Sequence, residues 1–215
     1  MAAVLLDIND LYCERDDRVL FEHLSFKLKQ GQILQLVGKN GSGKTSLLRI
    51  LCGLYSSYEG SVSFLGEEIT ASRDAYNSAL LYIGHNVSVK NGLTARENLT
   101  WYAKIQPQLD EKLIDQALAK VGLKTYEEVI CQNLSAGQKR RVNLARLFML
   151  DETSFDKTLW ILDEPFTAID GEGVHNLEQQ MSHYVANGGT VLITTHQELQ
   201  MKENLQQLNL DEWGT

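Results

Sequence analysis

The chain has 215 residues, 43% hydrophobic and 22% charged, with two prolines and a net charge of −8. Length and composition suit one domain, or one domain with a sub-lobe, and exclude a Pro-rich or fibrous chain. The acidic balance weighs against nonspecific binding to nucleic acid or to an anionic membrane, and three cysteines without a CxxC pair argue against a disulfide framework or a zinc site.

In chain order, residues 4–8, 19–20, 26–28 and 32–37 predict short strands punctuated by Gly31, Gly60 and Gly66, an antiparallel patch. A glycine-rich bend then separates strand 32–37 from a helix over 44–52, the start of a parallel core. Residues 86–150 predict a helical sub-lobe with helices over 94–105, 110–121 and 135–149. The basic run Lys139, Arg140 and Arg141 reads as a solvated helix face. The loop at 151–157 carries three acids and one lysine and reads as a solvated loop. Strands over 159–162 and 190–195 flank a helix over 173–186, and this alternation predicts a mainly parallel α/β sheet. After Glu198 only Leu205, Leu208 and Leu210 offer apolar anchors, so the tail reads as an appendage. No apolar run reaches the roughly 18 residues of a membrane helix, and the start MAAVLLDIND lacks a signal-peptide leader, so a cytoplasmic location is expected.

Three motifs carry chemistry. Gly38-Lys39-Asn40-Gly41-Ser42-Gly43-Lys44-Thr45 fits GxxxxGK[ST] between a strand and a helix. Glycines let successive N–H groups converge on phosphate oxygens at a helix N-terminus, Lys44 reaches the β- and γ-phosphates, and Thr45 ligates Mg²⁺. The strand 159–163 ends in Asp163 and Glu164, one acid to hold Mg²⁺ and one to polarise the attacking water as general base. Leu134-Ser135-Ala136-Gly137-Gln138 opens a helix: Ser135 is its N-cap, the helix end can grip a γ-phosphate, and Gly137 permits close approach.

These motifs, with Asp170 and His196, stand in the order seen in ABC ATPase cassettes, and the chain resembles that family over nearly its whole length. The resemblance implies a P-loop cassette in a single domain over 1–215, with ATP and Mg²⁺ as cofactor set. It also implies a homodimer in which Ser135, Gly137 and Gln138 complete the partner's site, and His196 contacts the γ-phosphate. Two positions depart from the family. His85, with Asn86 as the alternative, stands where most members have a metal-sensing glutamine. Arg15 stands where an aromatic stacks on adenine, with Tyr12 three residues away, and a guanidinium can also stack on a base.

A narrower likeness lies in Tyr82-Ile83-Gly84-His85, Leu93-Thr94-Ala95-Arg96-Glu97-Asn98-Leu99, the run from Leu159 to Asp170, and Thr194-Thr195-His196-Gln197. These stretches resemble the heme-exporter ATP-binding subunits of cytochrome c maturation. That likeness implies a peripheral motor on the cytoplasmic face of a bacterial inner membrane, touching the membrane only through integral permease subunits. It would couple ATP hydrolysis to heme export or to release of a heme chaperone. No CxxCH occurs, so heme contact is expected to belong to partners. Competing readings are a cassette for another cargo and a nontransport ABC ATPase acting on nucleic acid or ribosomes. The latter usually carries long coiled-coil insertions or paired cassettes, which this chain lacks.

Overall fold

The computed structural model describes residues 3–150, 155–201 and 204–214; most of the acidic loop expected at 151–157 lies outside them. Strands β1 (Val4–Arg15) and β2 (Arg18–Lys29) form one long antiparallel hairpin, from Val4 opposite Lys29 to Arg15 opposite Arg18. Its two-residue turn places Asp16 and Asp17 at φ 52° and 58°, the left-handed pair that such a turn requires and that Asp tolerates. The strands run longer than the short ones expected because polar residues such as Asn9, Glu22 and Lys27 interrupt the apolar runs only on the watered face. Strands β4 (Glu59–Phe64) and β5 (Glu67–Glu68) extend the sheet, in the order β2-β1-β4-β5.

The second sheet is wholly parallel, in the order β6 (Leu80–Ile83), β7 (Leu159–Asp163), β8 (Thr190–Thr194), β3 (Ile33–Val37), β9 (Leu205–Asn209). Alternation splits its side chains between two cores. Trp160, Leu162, Val191 and Ile193 face a core shared with the helical lobe. Leu159, Ile161, Leu192, Leu34 and Leu36 face one shared with the antiparallel sheet and helix α1 (Lys44–Leu51). Burial on both faces explains why these strands read as unbroken apolar runs. This is the α/β architecture expected, a parallel core with an antiparallel patch and a helical lobe between β6 and β7.

Helix α2 (Arg73–Ala79) leads into β6; neither was expected from the sequence, both being short. The lobe contains α3 (Ala95–Ile105), α4 (Ile114–Lys120) and α5 (Ala136–Ala145), and α6 (Gly171–Ala186) follows β7. The helices expected over 110–121 and 135–149 are shorter: 3₁₀ turns replace the first turn of one (Glu111–Leu113) and the last of the other (Arg146–Phe148). Helix α3 begins on a reciprocal cap, Thr94 and Glu97 each accepting from the other's main-chain N–H.

The tail is not an appendage. β9 pairs along the edge of β3, from Ile33 opposite Leu205 to Val37 opposite Asn209, and Leu210 is fully buried. Leu205 on one core and Leu208 and Leu210 on the other sufficed because a sheet edge supplies the hydrogen bonds. The C-terminal ends of β3, β7 and β8 meet on one edge of the sheet, where parallel α/β folds bind ligands.

Candidate nucleotide site

Between β3 and α1 the chain turns through Gly38, Gly41 and Gly43 at φ 144°, 83° and 97°, values that a side chain would strain. A Cβ at Gly43 would also press on Leu20 and Phe21 of β2, at 3.1 and 3.2 Å. Lys44 Nζ folds over the loop, donating to the carbonyl oxygens of Gly38 (2.6 Å) and Lys39 (2.9 Å). The Lys39 N–H instead donates outward to the Asp211 carboxylate, at 3.0 and 3.2 Å. Ser42 Oγ is buried and has no hydrogen-bond partner among the described residues.

Asp163 closes β7 at 2% exposure. Its Oδ2 accepts from Thr45 Oγ1 at 3.2 Å and its Oδ1 from Thr194 Oγ1 at 2.8 Å. Glu164 turns aside at φ 49°; its N–H donates to the Thr194 carbonyl (3.1 Å) and hydroxyl (3.0 Å), and its Oε1 lies 3.6 Å from His196 Nε2. The two acids therefore face different partners.

A cavity of about 650 Å³ collects Arg15, Arg18, Asn40, Gly41, Gly43, Lys44, Thr45, His85, Asp163, Glu164 and His196. Arg15 and His85, the two departures from the family pattern, thus stand on the cavity wall, while Tyr12 donates to Glu14. Gly38 borders a second hollow with Lys44 and His196. Sequence reasoning missed Thr194, Arg18 and Asp211. A threonine closing the C-terminal end of a buried apolar strand, the end where the acids of β7 also lie, was the available signal for Thr194.

Ser135, Gly137 and Gln138 do not line this cavity. Ser135 caps α5, its Oγ accepting from Gln138 N (3.2 Å) while Gln138 Oε1 accepts from Ser135 N (2.9 Å). Within the chain, the close approach at Gly137 is to protein: a Cβ there would stand 2.9 Å from the Ala168 carbonyl oxygen.

The basic run on α5 is not a solvated face. Arg140 is 2% exposed, its four hydrogen bonds ending on the carbonyls of Gly84 (2.8 Å), His85 (3.3 Å), Asp163 (3.3 Å) and Glu164 (2.7 Å). Burial pulls this guanidinium below its ordinary pKa, against the opposing charges of Asp163 and Glu164. Arg141 pairs with Asp170 at 2.5 Å, and Asp170 caps α6 by accepting from Gly173 N. The Gly173 N–H and the Arg141 charge hold the Asp170 carboxyl below the usual carboxylate range.

A glycine loop at the turn from β3 to α1, a lysine over it, and two acids ending β7, one strand removed across β8, define a P-loop nucleotide hydrolase of the ATP-binding cassette class. The model of the ABC transporter family matches residues 21–167, and the chain belongs to that family, as an ABC-type ATPase that binds ATP. It is 48% identical to the cytochrome c biogenesis ATP-binding export protein CcmA of Pseudomonas putida over 205 residues, 95% of each chain. It is 46% identical to CcmA of Aliivibrio fischeri over 97% of this chain and 100% of that one. Among solved structures it resembles an ATP-binding subunit of an ABC transporter, with TM-score 0.78, 25% identity, and 89% and 79% of the two chains covered. Among the described residues no helix is long and apolar enough to cross a membrane.

Proposed function

We propose that this chain is the ATP-hydrolysing subunit of a transport complex for c-type cytochrome assembly, driving heme export or release of a heme chaperone. The single observation behind the reading is the convergence of Lys44, Thr45, Asp163, Glu164 and His196 on one cavity in a chain about half identical to CcmA proteins. In this reading the N–H groups of residues 38–45 and Lys44 bind the phosphates, Arg15 stacks on the base, and His196 contacts the γ-phosphate. Glu164 takes the proton of the attacking water, with His196 beside it. Thr45 and Asp163 offer adjacent hard oxygens suited to Mg²⁺, with His85 reaching it through water, and the ion would neutralise charge on the phosphates.

The 215 residues act as one cassette domain with a helical sub-lobe over about 86–150. Two copies pair head to tail, so that Ser135, Gly137 and Gln138 of each cap the nucleotide of the other. Integral membrane permease subunits hold the pair at the cytoplasmic face of the bacterial inner membrane, and neither membrane nor nucleic acid is touched directly. Purification of the native complex should return such membrane subunits.

Lys44→Ala should abolish nucleotide binding. Glu164→Gln should retain ATP while turnover falls by about 10²–10⁴-fold, the usual contribution of a general base. Wild-type turnover in Glu164→Gln sinks its assignment, and normal c-type cytochrome content in a strain whose only copy is Lys44→Ala removes the cytochrome reading.

A further inference from the structure

An arginine as deeply buried as Arg140 ordinarily answers a carboxylate, because an unpaired cation in the interior costs several kcal/mol. Here the guanidinium fork takes two pairs of main-chain carbonyls instead. One pair, Gly84 and His85, belongs to the segment after β6 that carries His85 to the cavity wall. The other, Asp163 and Glu164, is the end of β7. Its own helix, α5, starts five residues earlier at the cap of Ser135.

The Glu164 backbone sits in the left-handed region, a strained conformation that persists where its surroundings over-determine it. Thr194 holds its N–H from β8, and Arg140 holds its carbonyl from the opposite side. Rotation of either peptide flanking Glu164, which would swing its carboxylate away from His196, breaks one of these bonds.

We propose that Arg140 is a positioning residue for hydrolysis. It locks the main chain at Glu164 and at 84–85 to the helix that begins at Ser135. The water-activating carboxylate and the helix end lent to the partner therefore keep a fixed offset. The inference rests on the reading of Glu164 as general base and of Ser135 as acting across the dimer. An ordinary core tie would, when broken, lower the melting temperature and leave the kinetic constants of the folded fraction alone.

The test measures kcat, KM for ATP and melting temperature of full-length Arg140→Gln and Arg140→Lys beside Glu164→Gln. Arg140→Gln should lower kcat by about 10²-fold, as ångström-scale misplacement of a reacting group does. KM should stay within about threefold, the split that marks an interaction used in the transition state. Arg140→Lys keeps the charge but loses the planar fork, so it should fall between Arg140→Gln and wild type. Wild-type kcat in folded Arg140→Gln overturns the proposal, as does a raised KM with kcat retained. Should the glutamine variant fail to fold, the lysine variant decides by the same two criteria. Wild-type turnover in Glu164→Gln counts against the base assignment, whatever the arginine variants do.

Discussion

Thr194 shows how much one hydroxyl can organise. Buried at 1% exposure, its Oγ1 donates to Asp163 Oδ1 and accepts from Glu164 N–H, so it orients the side chain of one acid and the main chain of the next. Thr194→Val keeps the shape and removes both bonds, leaving a buried carboxylate oxygen one donor short. The expected cost is about 1–3 kcal/mol in denaturant unfolding, with a drop in kcat, while Thr194→Ser should restore most of both. Normal kcat in Thr194→Val would show that Thr45 alone suffices to orient Asp163. The cysteines serve packing rather than chemistry. Cys13, Cys52 and Cys131 are unpaired and buried, and burial raises all three thiols, keeping them from forming the reactive thiolate.

At the scale of elements, the C-terminal strand and the turn after it act on the phosphate loop. The Asp211 carboxylate accepts from the Lys39 N–H, and the Lys39 carbonyl accepts from the Lys44 amine. Trp213 ties the turn back to β2 through a bond from Glu22 N to its carbonyl. Asp211→Ala should free one end of the loop and raise KM for ATP several-fold with little change in kcat, because loop ordering then has to accompany binding. Asp211→Asn keeps an acceptor and should lie near wild type. Steady-state kinetics decides it: an unchanged KM in the alanine variant would mean that the glycine conformations alone hold the loop.

For the whole molecule, the separation of the Ser135 helix end from the chain's own phosphate cavity sets up a two-chain experiment. Ser135→Arg should lose ATP-dependent dimerisation, since a long cation replaces the small cap where the partner's nucleotide would sit. Mixing Ser135→Arg with Lys44→Ala chains leaves one of two composite sites with both halves intact, so turnover should reappear in the mixture. Sedimentation run beside turnover checks this, and hydrolysis by a strictly monomeric species at all concentrations would refute the head-to-tail arrangement.

The local chemistry was legible from the sequence by itself. The glycine spacing, the acids ending an apolar run and the Ser135 cap with Gln138 three residues on are short-range constraints, written where the chain needs them. The same holds for the alternation of strand and helix that announced a parallel sheet. Only the tertiary structure decided the rest. Arg140 reaches Glu164 across 24 residues, Thr194 reaches Asp163 across 31, and Asp211 reaches Lys39 across 172. The tail became a sheet strand because β3 had an open edge, and Arg140 became a buried tie because strand ends presented carbonyls to it. Polar groups take the partners that burial leaves them, and which carbonyl or edge lies within 3 Å is settled by packing between distant segments rather than by local propensity.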